Sequence, residues 1–209
     1  PDGAAWLDEN GVFHQTSPQP LTPMEELPFI YDEAGRMEGF KNRIIYYETS
    51  RGCPFSCSYC LSSIDKKLRF RPLDTVKNEL AFFLEQRVPQ VKFVDRTFNC
   101  KKLHAMAIWQ FICDHDNGVT NFHFEIAADI LDEEEIALLK TMRPGLVQLE
   151  IGVQTANPDT IRAINRKMDL ARVAQVTKII RQAHNIHQHL DLIAGLPLED
   201  YESFGHSFD

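Results

Sequence analysis

From Arg43 onward, short β-rich runs alternate with helical stretches five times, and this alternation limits the fold more than any other feature of the chain. Ile44-Ile45-Tyr46-Tyr47 reads as a first strand and is followed by a cysteine-rich loop. Val76, Leu80, Phe83 and Leu84 then recur at helical spacing. Val91–Val94, Phe122–Ile126, Leu146–Ile151 and Leu190–Ala194 are the next four strands. Between them run a helix carrying Leu103, Ala107, Ile108, Phe111 and Ile112, a helix from Asp132, a short helix from Asn157-Pro158, and a longer one lined by Val173, Val176, Ile180 and Ala183. Asp132 followed by Glu135 is a capping pattern, and proline suits a first helical position. Strands joined by helical crossovers specify a parallel sheet with helices outside, either doubly wound or a β/α barrel. In both, chemistry belongs at the C-terminal strand ends. Another crossover begins at Glu199, so the chain reads as a partial α/β barrel truncated after about five units, spanning residues 44–209.

Residues 1–43 differ. Pro1, Pro18, Pro20, Pro23 and Pro28 lie here, and Asn10-Gly11 between Ala5-Trp6-Leu7 and Val12-Phe13 is a hairpin signal. The remainder reads as a linker without a core of its own. A start at Pro1 rather than Met and a stop at Asp209 mark the chain as an excised fragment. With 209 residues, 44% of them hydrophobic, it can bury a core without disulfides. A net charge of −8 disfavours nucleic-acid binding. No apolar run reaches the roughly 20 residues of a membrane span, and no export signal opens the chain, which places it in the cytoplasm.

Three of the five cysteines, Cys53, Cys57 and Cys60, stand together in Arg51-Gly52-Cys53-Pro54-Phe55-Ser56-Cys57-Ser58-Tyr59-Cys60. An odd count in a chain without export signal points to reduced thiols with a metal or redox role. Three thiolates on a [4Fe-4S] cluster leave one iron open, whereas structural zinc and fully ligated iron–sulfur centres want four ligands. A zinc loop that borrows a distant histidine, without catalysis, is the rival reading. A thiol–disulfide switch lacks the Cys-x-x-Cys context of a redox fold. Cys113 beside an apolar helix stripe reads as a buried small hydrophobe, and Cys100 has no adjacent base to activate it. His184, His187 and His189 match no familiar ligand frame.

The Cys53-x3-Cys57-x2-Cys60 pattern after the first strand, with Tyr59 before the last cysteine, resembles the radical S-adenosylmethionine (SAM) superfamily. The resemblance implies an incomplete catalytic barrel whose three cysteines hold a [4Fe-4S] cluster. The open iron would bind the amino and carboxylate groups of SAM. Reductive cleavage would release a 5′-deoxyadenosyl radical, which abstracts hydrogen from a small-molecule substrate. A low-potential donor such as flavodoxin or ferredoxin would supply the electron.

The later strands are similar to the SAM-contacting pattern of oxygen-independent coproporphyrinogen oxidase: Glu125, Gly152-Val153-Gln154, Asn165-Arg166 and Asp191-Leu192-Ile193-Ala194-Gly195-Leu196-Pro197. By that resemblance, Glu125 and Arg166 would hold the methionine end of SAM. Gln154 and Asp191 would hydrogen-bond the ribose, and Tyr59 would lie by the adenine. A plainer alternative pairs Glu125 with a helix-end lysine and leaves Arg166 on a solvated helix. After the second strand the chain has Asp95-Arg96-Thr97-Phe98 instead of the superfamily's common Gly-Gly pair. There Asp95 would meet the amino group through its side chain. Asp95, the Ser50–Pro54 opening and the proline-rich linker resemble the cobalamin-associated branch, such as anaerobic magnesium-protoporphyrin monomethyl ester cyclases. That branch implies a methyltransferase or oxidative cyclase, with cobalamin held by a domain absent from this chain. A coproporphyrinogen oxidase-like enzyme without cobalamin is the alternative.

Overall fold

The structure, a computed structural model, describes residues 2–32, 36–40 and 42–208. It begins with an antiparallel hairpin of β1 (Ala5–Leu7) and β2 (Phe13–Gln15). Asp8 fixes the turn by accepting hydrogen bonds from the Asn10 and Val12 amides, each 2.9 Å, while Gly11 takes a φ of 77°. A short helix α1 (Arg36–Gly39) precedes the sheet.

Five parallel strands form that sheet: β3 (Ile45–Tyr47), then β6 (Gln90–Phe93), β7 (Asn121–Ile126), β8 (Val147–Gln154) and β9 (His187–Leu192). Between the first two, β4 (Ser50–Arg51) and β5 (Arg69–Phe70) pair antiparallel across the cysteine loop. The crossover helices are α2 (Leu73–Glu85), α3 (Lys102–Asp114), α4 (Glu133–Thr141), α5 (Pro158–Ala163) and α6 (Leu170–Gln182), and α7 (Tyr201–Phe208) follows β9. Spatial order equals chain order, β3-β6-β7-β8-β9. A doubly wound sheet reverses direction at a switch point, whereas a barrel adds each strand to the same edge. The arrangement is therefore the arc of a partial β/α barrel.

Three helix starts follow their capping residues. Asp132 accepts from the Glu134 and Glu135 amides while Glu135 accepts from the Asp132 amide, a reciprocal box at 3.0 Å. Asn157 caps α5 ahead of Pro158, and Asp169 caps α6. The fifth strand starts at His187, three residues before the expected Leu190. Its pairing partners on β8, Gln148 through Gln154, draw the polar His187-Gln188-His189 into the ladder. Apolar runs locate strand centres better than ends.

The hydrophobic core lies on the convex side, between sheet and helices. Val147, Leu149 and Ile151 point there from β8, and Phe93, Phe98, Phe122, Phe124 and Trp109 are fully buried in it. The Phe124 ring sits 4.4 Å from both Phe93 and Phe98. Each such side chain contributes about 1.5–3 kcal/mol of burial. Partners in register place Lys92, His123 and Gln148 in one row of the opposite, concave face, Glu125, Glu150 and His189 in the next, and Gly152 with Asp191 above. Barrels ordinarily fill that space with branched apolar side chains. Here it is polar, and it opens toward the strand C-termini.

The proline-rich segment packs on the outside of the arc. Met24 is buried, and Phe29 and Tyr31 meet Phe83 edge to face. Arg71 donates to the carbonyls of Met24 (3.1 Å) and Leu27 (2.9 Å) and to Glu79 (2.9 Å), which also accepts from the Tyr47 hydroxyl. Among the described residues, no helix is long and apolar enough to cross a membrane.

Candidate functional site

At the C-terminal ends of the strands lies a cavity of about 220 Å³. Cys53, Cys57 and Cys60 line it together with Tyr59, Glu125, Gln154, Arg166 and Asp191. Residues from two loops and three strands thus meet in one place, as the topology dictates.

The cysteine loop has its own scaffold. Its ends are held by the β4–β5 pair, and the Cys53 amide donates to the Asp65 carbonyl at 3.0 Å. Gly52 has a φ of 91°, and a Cβ there would lie 2.7 Å from the Lys67 carbonyl oxygen, so any side chain would break the closure. The segment after α5 braces the far side: Ser58 donates from its amide to the Ile164 carbonyl at 2.9 Å, and Asn165 Nδ2 donates to the Ser56 carbonyl at 3.0 Å. Cys53 and Cys57 are buried and Cys60 is half-buried; all three are free thiols. Cys53 Sγ lies 3.8 Å from Thr97 Oγ1 and Cys57 Sγ 3.7 Å from Arg166 Nη1.

Arg166 is not on a solvated helix. Its guanidinium donates to the Tyr59 hydroxyl at 3.1 Å and to the Gly152 carbonyl, while its Nε is buried with no partner. A buried guanidinium N–H without an acceptor fits an anionic ligand group that completes it. Gln154 stands at the register shift in β8 with a φ of 71°, a costly conformation for a residue with a side chain and one that concentrates at functional sites. Opposite them, Glu125 is pushed above its usual range by burial and then by the nearby Glu150 carboxylate. Asp191 is raised for the same two reasons. Desolvation acts most strongly on Glu150, but its hydrogen bond and charge attraction to Lys92, with His123 adding to them, together hold that carboxyl low. The mixture of a free cationic donor, two carboxylates, an amide and a phenol matches a zwitterionic, sugar-bearing ligand.

Asp95 requires a correction. It is fully buried and does not line the cavity; its carboxylate accepts from the Thr49 amide (3.0 Å), the Thr49 hydroxyl (2.7 Å) and the Ser50 hydroxyl. With its acceptor sites aimed at the chain entering the cysteine loop, its side chain fixes that loop from behind rather than meeting a ligand. Arg96 and Thr97, the next two residues, reach the cavity instead. Glu150, Asp129 and Lys167 also line it and had no expected role. Glu150 was discoverable by period two, since it shares a face with Gly152 and Gln154. Asp129 and Lys167 come from irregular connections without a pattern.

The remaining thiols and histidines are elsewhere. Cys100 is pushed up to about 11 by burial and then by Asp95 and Cys53, so its thiol stays protonated at neutral pH. Cys113 packs against the outer core. The His187 and His189 rings pack 4.4 Å apart on β9, whereas His184 has a φ of 55° in the turn after α6. Among the described residues, no three His, Cys, Asp or Glu side chains form a group that could hold a single metal ion. The thiolates of an iron–sulfur cluster bind separate irons and need not converge on one point.

A parallel arc built strand by strand in chain order, with a three-thiol loop after its first strand, defines the core of a β/α-barrel enzyme. The particular family is clear from comparison: the chain belongs to the Radical SAM superfamily, which matches residues 47–209. It is 29% identical over 171 residues to the cobalamin-dependent radical SAM methyltransferase TokK of Streptomyces tokunonensis, covering 76% of this chain and 24% of that protein. It is 22% identical over 218 residues to the anaerobic magnesium-protoporphyrin IX monomethyl ester cyclase of Rubrivivax gelatinosus, covering 99% of this chain and 38% of that protein. The structure of the cobalamin-dependent S-adenosylmethionine radical enzyme OxsB with aqua-cobalamin bound superposes with a TM-score of 0.73 at 17% identity, over 100% of this chain and 32% of that one. The chain thus spans between 24% and 43% of the length of the curated relatives it matches.

Proposed function

We propose that this chain is the catalytic core of a cobalamin-associated radical SAM enzyme, a methyltransferase or oxidative cyclase acting on a small molecule in the cytoplasm. The observation that carries the reading is the meeting of Cys53, Cys57 and Cys60 with Arg166, Gln154, Glu125 and Asp191 around one cavity. The three thiolates would hold a [4Fe-4S] cluster, whose chemistry when bound is to supply one electron for reductive cleavage of SAM and generate a 5′-deoxyadenosyl radical. Arg166 would receive the methionine carboxylate on its buried, unpartnered Nε edge. Glu125 would receive the ammonium group, Gln154 and Asp191 the ribose hydroxyls, and Tyr59 would lie beside the adenine.

Burial of Cys53 and Cys57 excludes water from that side of the cavity and makes its charges act through a low dielectric. Cobalamin would be carried by a separate domain of the whole protein, and a flavodoxin or ferredoxin would deliver the electron. Likeness to a cobalamin-dependent methyltransferase favours this branch over a coproporphyrinogen oxidase-like enzyme. Anaerobic reconstitution of the full-length protein with iron and sulfide should give a brown protein that forms 5′-deoxyadenosine from SAM under dithionite. A colourless product containing zinc would overturn the proposal.

A further inference from the structure

The concave face carries an ion-pair network in which the proposed function uses only Glu125. Lys92 projects from β6 in the row beneath Glu125 and Glu150; its Nζ is 2.9 Å from Glu150 Oε2 and 3.9 Å from Glu125 Oε1. Glu125 and Glu150 are register partners on adjacent strands, so two carboxylates of like charge lie directly opposite each other in a half-buried site. Such a pair is unfavourable alone, and one of the two would take up a proton. Lys92 supplies the missing charge. Reaching across β7 to hydrogen-bond Glu150, it neutralises the more deeply paired carboxylate and leaves Glu125 facing the cavity.

The other groups around Glu125 cannot replace it. Asp191 adds a further negative charge, and Arg96 contributes a positive one from the loop after β6. His123 Nε2 is 3.0 Å from Glu150 but makes no well-aligned hydrogen bond, and burial pulls that ring toward its neutral form. His189 stacks on His123, and Tyr46 flanks Lys92 on the other side. Lys92 is the cation in contact with both carboxylates.

We propose that Lys92 is a positioning residue for SAM: it ties back Glu150 and keeps Glu125 ionised to receive the ammonium group. This rests on Glu125 being the ammonium contact. Lys92 and Glu150 are moved toward their charged forms by each other, in agreement with the geometry.

The test measures SAM affinity by equilibrium dialysis with the full-length, cluster-reconstituted protein between about pH 5.5 and 8.5, without turnover. Losing a cation at this range raises a neighbouring carboxyl by about one unit or more. Lys92→Met should therefore move the acid limb of the affinity profile to higher pH by about one unit, weakening SAM binding by up to about tenfold on that limb. Lys92→Arg should bind within about threefold of the wild type with its acid limb unmoved. Lys92→Gln serves as the neutral variant should the methionine substitution fail to fold. Wild-type affinity and an unmoved acid limb in the neutral variant would overturn the inference. So would equal weakening of the neutral and arginine variants, which marks a purely structural lysine. A wild-type protein with no SAM affinity would instead refute the ligand reading on which the inference rests.

Discussion

Arg166 donates a hydrogen bond to the Tyr59 hydroxyl at 3.1 Å, although the two are 107 residues apart in sequence. That contact joins the cysteine loop to the segment following β8. The neighbouring bonds from Asn165 to Ser56 and from the Ser58 amide to Ile164 reinforce the junction. The cysteine loop and the segment after α5 are therefore tied together by hydrogen bonds at the edge of the cavity.

The guanidinium fork is the part of this junction that a lysine cannot reproduce. It addresses Tyr59 and Gly152 at once and still leaves Nε for a ligand. Arg166→Lys should weaken SAM binding by about 10–100-fold, the equivalent of one or two charge-assisted hydrogen bonds. Iron content per chain should stay at the wild-type level, because Arg166 is not among the three thiols. Parallel equilibrium dialysis and iron analysis check both halves, and a variant that loses iron together with SAM affinity would assign Arg166 to the loop's integrity alone.

Asp95 gives the protein a pH signature. Burial raises its carboxyl to about 6, against the hydrogen bonds from Ser50 and Thr49 that lower it. A folded-state value above the unfolded 3.8 means that the native protein holds the proton more tightly. The stabilisation is then complete below about pH 4 and lost as pH rises through about 6. A shift of this size corresponds to about 3 kcal/mol. Relative to Asp95→Asn, which does not titrate, wild-type stability should fall by that order between about pH 4 and 7. His104, which burial lowers to about 4, titrates with the opposite sign. It is common to both chains, so it cancels in the difference. Paired urea titrations at the two pH values make the measurement, and a pH-independent difference would show that Asp95 does not carry the perturbed proton.

The sequence showed the barrel because period two on the strands and period 3.6 on the helices are both written in apolar residues. Phe122 and Phe124, for example, flag β7 unaided. The cysteines stand out by their spacing and Arg166 only by resemblance to a family pattern, and the structure brings all four to one cavity. The position of Asp95 after a strand looks the same in sequence whether the carboxylate turns toward a ligand or back onto Thr49 and Ser50. Lys92 carries no such signal, since a lone charge in a strand reads as solvent-facing until strand order puts it inside an arc. Arg71 is a similar case, its partners being backbone carbonyls of a linker that composition describes only as proline-rich.

Arg71 sets up the last prediction. Its side chain and that of Glu79 are only 6% and 7% exposed, and the pair is closed by the Tyr47 hydroxyl. Arg71→Met leaves the Glu79 carboxylate buried with the Tyr47 hydroxyl but no cation and should destabilise the fold by about 3–5 kcal/mol. Adding Glu79→Leu removes that charge and should recover most of the loss, since a buried ion pair is commonly replaceable by apolar groups of similar volume. Neither variant restores donors to the Met24 and Leu27 carbonyls. The double variant should therefore unfold at nearly wild-type urea concentration yet be cleaved faster by protease between residues 16 and 28. Stability and attachment of the linker are separable in this way because one guanidinium serves both. Full protease resistance in the double variant would assign the attachment to Phe29 and Tyr31 packing on Phe83 instead.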